Sequence, residues 1–249
     1  MQKTLVKAMQ LLEFMTTGKQ RYGVSELAEE LKLYKSNIHE ILSTFEELGY
    51  VAQDPETKKY SLTMRILELA HRIRSRFGIL EVLGVMLQKL SDDLGELTYF
   101  GMLYGHNLMY MCGGFPRTDL TAKPVVGLVA PLYCTAMGKA ILANSSEDLF
   151  NQVVEGGLKP FTQNTITDSG KLREELLMSR ERGYACNNME YEYGHSSVAV
   201  PVFAASGKLM GAVNVSGPAP RFTQEAIKDF VNHLHVTASQ IQNSYGSGT

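Results

Sequence analysis

The strongest pattern of apolar and polar positions in this sequence lies between Gly23 and Gly49. At about 100° per residue, one stripe of a predicted helix is apolar and contains Ile38, Ile41, Leu42 and Phe45. The opposite stripe is polar and contains Ser36, Glu40, Ser43 and Glu47, flanked by Asn37, His39 and Thr44. We expect the apolar stripe to be buried. The polar stripe has the short hydrogen-bonding side chains that suit a helix in a DNA major groove.

A shorter apolar set, Leu27, Ala28 and Leu31, lies just before this helix. It predicts a helix from Ser25 to Leu31 with Ser25 as its N-cap, because a serine hydroxyl can accept an otherwise unpaired backbone N–H. Gly49 is expected to end the second helix, since glycine adopts a left-handed backbone easily. Two helices at this spacing are typical of a helix-turn-helix, although two ordinary core helices with a solvated polar face would give the same pattern.

A β-hairpin is predicted directly after these helices. Residues 50–53 and 60–62 favour strands, and the segment between them is rich in turn-forming residues and carries Lys58 and Lys59. A hairpin in this position is typical of a winged helix-turn-helix. We expect the two lysines to contact DNA phosphate, which adds affinity but no sequence information. Two solvated lysines in an ordinary turn are the alternative.

The N-terminal region as a whole is therefore predicted to bind DNA. A helix from Thr4 to Met15 is expected to close its small core. Glu40 could accept a hydrogen bond from a cytosine amino group. The full set of predicted DNA contacts is Arg21, Ser25, Lys35, Ser36, Asn37, His39, Glu40, Ser43, Lys58 and Lys59.

Two amphipathic helices are predicted next, and both have helical spacing of their apolar residues. The first runs from Met64 to Phe77 and is interpreted as a linker that also packs on its twofold mate. Gly78 ends it. The second runs from Ile79 to Leu94 and is closed by Gly95.

From Glu96 onward the period changes from helical to alternating, with further helices interspersed. The predicted strands cover residues 97–104, 108–112, 197–203 and 209–216. The predicted helices cover residues 134–143, 147–155 and 172–182, and a last helix capped by Thr223 runs to about Tyr245. No regular β–α–β rhythm is present. The C-terminal part is therefore predicted to be an α+β domain with a mainly antiparallel sheet flanked by helices.

Composition narrows the possible functions. The net charge is −2, yet residues 1–76 contain 12 Lys and Arg against 10 Asp and Glu, whereas residues 77–249 contain 12 against 16. This asymmetry has the sign expected for an N-terminal part that contacts DNA. Three widely separated cysteines without metal-ligand spacing argue against zinc and suit a reducing cytoplasm. No membrane-spanning run, P-loop or dinucleotide motif occurs, so we expect no membrane and no cofactor.

The placed segments resemble the IclR family of bacterial transcription regulators over nearly the whole chain. The likeness is carried by residues 27–31 (LAEEL), 35–39 (KSNIH), 48–51 (LGYV), 54–55 (DP), 60–62 (YSL), 135–140 (TAMGKA), 183–185 (GYA), Glu190, Gly194, 199–202 (AVPV), 216–218 (SGP) and Arg221. Each motif alone is weak, but their order along the chain makes the set specific.

The resemblance implies a winged helix-turn-helix over residues 1–63, a linker helix over 64–78 and a GAF-like effector-binding domain over 79–249. It implies a homodimer, or a tetramer formed as a dimer of dimers, that binds palindromic double-stranded operators under the control of a small molecule. Whether the protein activates or represses stays open.

The family's pattern places the effector between the start of the helix at Thr135 and the segment from Asn187 to Ser197. The implied contacts are Ala130, Thr135, Ala136, Met137, Asn187, His195 and Ser197. A helix N-terminus suits a carboxylate because it presents unpaired N–H groups.

Three of the implied effector contacts depart from the family's pattern. Asn187 stands where an acidic residue is common, Ser197 where a cysteine is common, and His195 where an apolar residue is usual. These polar, neutral groups favour a sugar acid or a small hydroxy acid as the effector, although His195 could also be a surface residue of a loop. Tyr34 replaces a frequent proline, which suggests a different turn before the recognition helix.

Two other functions remain open from the sequence. Cys134 or Cys186 could be the nucleophile of a hydrolase together with one of the six histidines, and Cys134 could lie at a helix start, which lowers the pKa of a thiol. An isolated cysteine is, however, more often a small buried apolar residue. Alternatively, the helix-turn-helix could contact only protein, as part of a sensory module.

Overall fold

The structure is a computed structural model that describes residues 2–76, 78–117 and 125–246. The chain forms two compact units, Met1–Phe77 and Gly78–Thr249. Phe77, which was predicted to be the last residue of the linker helix, lies outside the described residues. The first unit contains α1 (Lys3–Phe14), α2 (Val24–Glu30), α3 (Lys35–Glu47), β1 (Val51–Gln53), β2 (Tyr60–Leu62) and α4 (Arg65–Ser75).

The stripe pattern of α3 is confirmed. Ile38, Ile41 and Leu42 are buried, and they pack in a small core with Leu11 and Leu27. Side chains of the polar stripe are exposed. Gly49 has a φ of 78°, the left-handed value expected of a residue that follows a helix.

The predicted start of α2 is wrong. The helix begins at Val24, so Gly23 is the N-cap residue and Ser25 lies inside the first turn. Glu26 replaces the expected serine cap, because its carboxylate accepts a hydrogen bond from the Gly23 N–H at 3.4 Å. Ser25 is consequently exposed on the helix surface.

The linker helix α4 is shorter than predicted and contains no buried residue. Leu67 and Ile73 are 63% and 57% exposed. Its predicted packing against a twofold mate stays a prediction.

The second unit is built around a six-stranded antiparallel sheet with the order β5-β4-β3-β8-β7-β6. The predicted antiparallel α+β class is confirmed. The strands are β3 (Leu97–Tyr104), β4 (Asn107–Gly114), β5 (Val129–Pro131), β6 (Ala185–Asn188), β7 (His195–Phe203) and β8 (Leu209–Pro218). Sequence patterns did not predict the short strands β5 and β6.

Helices cover both faces of this sheet. They are α5 (Ile79–Leu94), α6 (Ala136–Ala143), α7 (Glu147–Glu155), α8 (Ser169–Arg182) and α9 (Gln224–Gly246). One buried cluster lies between the sheet and α6, α7 and α8, and a second lies between the sheet and α5 and α9. None of the helices in the described ranges is both long and apolar enough to cross a bilayer.

Candidate functional site

The first candidate site is the outer surface of α3 and the β1–β2 hairpin. Of the ten predicted DNA contacts, nine are exposed and Asn37 is half-buried. Six of them, Lys35, Ser36, Asn37, His39, Glu40 and Ser43, lie on α3 itself. The structure thus leaves these side chains accessible on one convex element.

The turn before α3 is one that a proline could adopt. Tyr34 is the N-cap residue with a φ of −67°, the value that a proline ring imposes. The expectation of a different turn at this position stays a prediction. The Tyr34 ring is 81% exposed, and its side chain forms no cap hydrogen bond.

The hairpin is fixed to the loop that precedes α2. The backbones of Tyr22 and Tyr60 exchange two hydrogen bonds of 2.9 and 2.8 Å, and Arg21 forms an ion pair with Asp54. Asp54 also accepts a hydrogen bond from the Thr57 N–H at 2.8 Å, and this bond lowers the pKa of its carboxyl. Arg21 therefore has an acidic neighbour that any DNA phosphate would compete with.

The second candidate site is a cavity of about 640 Å³ in the larger unit, between the sheet and the start of α6. All six strands contribute residues to its lining. Each of the seven predicted effector contacts lines it: Ala130, Thr135, Ala136, Met137, Asn187, His195 and Ser197.

The start of α6 presents its backbone to this cavity. The Thr135 hydroxyl accepts a hydrogen bond from the Gly138 N–H at 3.1 Å and donates one to the Pro131 carbonyl at 2.9 Å, so both of its roles are occupied. The N–H groups of Ala136 and Met137 lie in the first turn, where no intrahelical acceptor exists. They are the donors that α6 can offer to a ligand.

Only glycine fits at position 138. A Cβ there would lie 2.3 Å from the Leu132 carbonyl oxygen. This close approach seats α6 directly on the segment that follows β5.

Asn187 and Ser197 lie on the neighbouring strands β6 and β7 and are paired in register. The Asn187 Oδ1 accepts a hydrogen bond from the Glu190 N–H at 2.7 Å, which fixes the orientation of the amide. Its amide nitrogen donates a hydrogen bond of 3.5 Å to the Ser197 Oγ, and the second N–H of the amide is a further donor. His195 begins β7, is exposed and lines the cavity as well, so it is not a residue of a remote loop.

Sequence analysis missed ten further lining residues: Leu97, Tyr99, Tyr110, Val125, Leu128, Val129, Tyr191, Glu192, Asn214 and Ser216. Burial raises the pKa of the Tyr110 and Tyr191 phenols, so both stay protonated and can donate hydrogen bonds. Asn214 and Ser216 could have been found, because they are polar residues at alternate positions of an otherwise apolar strand.

Burial raises the pKa of both cysteine thiols that the sequence offered as nucleophiles, Cys134 and Cys186. Helix α6 starts at Ala136 with Thr135 as its N-cap, so the predicted helix from Cys134 is two residues too long. Cys134 is fully buried, and burial raises the pKa of its thiol to about 12. In the part of the chain that the structure describes, no cluster of His, Cys, Asp and Glu could hold a metal ion.

Comparison with known proteins matches both units. The C-terminal model of the bacterial transcriptional regulator IclR matches residues 71–243, and the IclR helix-turn-helix model matches residues 4–55. The HTH-type transcriptional regulator KdgR of Escherichia coli is 33% identical over 225 residues, which cover 90% of this chain and 86% of that protein.

Two further relatives extend over almost the whole chain. The DNA-binding transcriptional repressor YiaJ of Escherichia coli is 29% identical over 248 residues, covering 98% of this chain and 88% of that protein. The crystal structure of the Thermotoga maritima IclR has a TM-score of 0.79 at 31% identity, covering 99% of this chain and all of that one (100%).

Proposed function

Because this chain belongs to the IclR family of bacterial transcription regulators, we propose that it binds a palindromic operator under the control of a small organic or sugar acid. The chain is a DNA-binding transcription regulator with an N-terminal helix-turn-helix and a C-terminal effector-binding domain. We further propose that the protein is cytoplasmic, forms a homodimer or a dimer of dimers, and catalyses no reaction. We place the domain boundaries at residues 63 and 78, on either side of the linker helix.

The surface of α3 is the observation that supports the DNA-reading proposal. Its side chains are short, polar and exposed, and Asn and Glu can pair with adenine and cytosine edges respectively. Lys58 and Lys59 are exposed on the adjacent hairpin, where they would contact phosphate. We assign base reading to α3 and positioning to the hairpin.

The cavity lining supports an acidic effector with hydroxyl groups. Its donors are the N–H groups of Ala136 and Met137, the Asn187 amide and the protonated phenols. Ser197, Asn214 and Ser216 add groups that can both donate to and accept from a hydroxyl. An anion is favoured at the start of α6 because the helix dipole is positive there.

Regulation would follow from linkage. An effector changes DNA binding only if it binds the DNA-competent and the incompetent conformations with different affinity. We propose α4 and α5, which connect the two units along the chain, as the elements that carry this difference.

The DNA-reading proposal is tested by titrating the protein with DNA from upstream of its own gene at several salt concentrations. We expect Lys59→Gln to weaken binding to all sequences alike and to reduce the salt slope by about one. We expect Asn37→Ala to change the preference at one base pair by about 1–3 kcal/mol. Lys208→Gln, at an exposed turn of the other unit, is the matched control. No salt-dependent DNA binding by the wild type would support the sensory module instead.

The effector proposal is tested by a thermal-shift screen of organic acids and sugar acids, followed by calorimetry and gel shift. An acid that raises the midpoint and changes operator affinity would support it. Binding of apolar aromatic compounds alone would contradict it.

A further inference from the structure

A charged side chain is buried in the middle of α6, on the helix whose first turn faces the cavity. The Lys139 side chain is 2% exposed, and its Nζ donates a hydrogen bond to the Glu190 Oε1 at 2.7 Å. The Glu190 side chain is 7% exposed. Glu175 on α8 lies 3.6 Å from the same Nζ and is itself paired with Arg182 at 2.9 Å.

Stability alone does not account for this ion pair. Removing two charges from water costs about as much as their attraction returns, so well-packed apolar residues often replace a buried pair without loss. In addition, the buried Glu190 Oε2 has no hydrogen-bond partner within the described residues. A buried carboxylate oxygen without a hydrogen bond adds a desolvation cost to that of the pair.

The ion pair ends on a strained turn at the cavity wall. Met189 has a φ of 54°, which is rare for a residue with a side chain and costs roughly 1–3 kcal/mol. Such a conformation persists only where the surroundings enforce it. Here the Met189 carbonyl accepts a hydrogen bond from the Thr162 hydroxyl at 2.6 Å, and the Glu190 carbonyl accepts one from the Thr165 hydroxyl at 2.6 Å.

The turn carries cavity residues at both ends. The turn covers residues 187–190 and begins with Asn187, whose amide is oriented by the Glu190 N–H, and Tyr191 and Glu192 follow it directly. Lys139, the other member of the ion pair, lies two residues after Met137 on α6. The ion pair therefore connects the first turn of α6, which supplies the helix N–H donors, to the turn that carries the Asn187 amide.

We infer that Lys139 and Glu190 are positioning residues for the effector cavity. Their ion pair holds the turn at 187–190 at the distance from α6 at which both sets of donors converge on one ligand. This inference rests on the proposed function, since it assumes that the cavity is the effector site.

The test is a double substitution, Lys139→Met with Glu190→Leu, which replaces both charges by apolar side chains of similar length. Glu175 keeps Arg182 as its partner. We expect the double variant to unfold at the wild-type temperature or above it. Hydrogen exchange of the Glu190 amide, which donates to the Asn187 Oδ1, should nevertheless become faster by about tenfold or more, because the turn opens locally. An acid that binds the wild type should lose about tenfold or more in affinity by calorimetry.

Two further variants serve as controls. Glu147→Gln with Arg173→Gln removes an exposed ion pair of the same unit and should change neither local exchange nor affinity. Glu190→Gln keeps an acceptor at Oε1 and should retain the slow exchange of the turn.

The inference is overturned if the double variant keeps wild-type exchange at 187–191, or if its affinity falls only together with its unfolding temperature. If the double variant fails to fold, Glu190→Gln decides the question. Faster exchange of the turn in Glu190→Gln together with a wild-type ligand affinity would then overturn the inference, because the turn would open without any effect on binding. If no acid in the panel binds the wild type, the effector class is wrong, and the exchange measurement still decides the role of the ion pair.

Discussion

The two units of this protein present opposite kinds of site. The proposed DNA-reading site is a convex, exposed surface that comes from one stretch of about 25 residues around α3 and the hairpin. The proposed effector cavity is concave and takes residues from six strands and a helix. The helices differ as well: α1, α2 and α3 have no side-chain cap hydrogen bond to the first turn, whereas Thr135, Ser146 and Asp168 cap α6, α7 and α8. The first site depends on one local element, and the second depends on the whole packing of its unit.

The largest expected effect comes from a substitution in the core of the N-terminal unit, which should unfold that unit and leave the larger unit folded. Leu42→Ala and Leu83→Ala each remove a fully buried leucine, one from each unit, and each should cost about 2–5 kcal/mol. A unit of this small size has only about 4–11 kcal/mol of stability to lose. We therefore expect Leu42→Ala to abolish DNA binding at 37 °C while the cavity unit stays folded. Calorimetric scans that show equal shifts for both units would contradict this difference.

The second effect is a loss of stability at high pH that belongs to the larger unit. All three cysteines lie in it, and the pKa of Cys134 rises from 9.0 to about 12 on burial. Because the pKa is raised in the folded state, the contribution of the protonated thiol to the free energy of unfolding is complete below pH 9 and is lost as the pH rises toward 12. Between pH 8 and 10.5 the loss should be about 2 kcal/mol. Cys134→Ala should reduce the pH dependence by that amount, measured by denaturant unfolding; an unchanged slope would show that the thiol is not responsible.

A smaller effect separates a cap at the cavity from a cap elsewhere. Thr135→Ala and Ser146→Ala should each cost about 0.5–2 kcal/mol, because each removes a side-chain acceptor from a helix N-terminus. Only Thr135→Ala should also weaken ligand binding, since it loosens the first turn of α6. Equal ligand affinity in the two variants, measured by calorimetry, would mean that α6 does not contact the ligand.

The smallest expected effect is an increase in the stability of the N-terminal unit. Tyr34 already has a φ that proline requires, and its N–H donates no hydrogen bond in the described structure. Tyr34→Pro should therefore stabilise this unit by about 0.4–1 kcal/mol by restricting the unfolded chain. Thermal unfolding measures the gain, and a destabilised variant would show that the turn does not accept proline.

The sequence predicted these two sites unequally, for a physical reason. The period of 3.6 residues fixes which face of α3 is buried, and Gly49 marks its end, so the DNA-reading surface follows from local rules. The α5 helix from Ile79 to Leu94 was predicted to the residue for the same reason. The start of α2 was missed because its N-cap residue is Gly23, which has no side chain, and Glu26 three residues later accepts a hydrogen bond from the Gly23 N–H.

The cavity could not be derived from local patterns. Its seven predicted residues came from family resemblance, and the residues that were missed, such as Tyr99 and Asn214, lie more than 100 positions apart yet are direct neighbours in the sheet. The β5 and β6 strands are only three and four residues long, too short for an alternating pattern to be recognised. The ion pair between Lys139 and Glu190 joins residues 51 positions apart, and no periodicity predicts such a partner.

The pairing of β3 with β8 has a consequence for synthesis of the protein on the ribosome. This pairing joins residues 97–101 to residues 212–216, so the sheet stays incomplete until most of the chain has been translated. At about 5–20 residues per second, the N-terminal unit has on the order of ten seconds in which it can fold before β8 leaves the exit tunnel. Each nascent chain therefore acquires the means to recognise a promoter before it acquires the means to sense a metabolite.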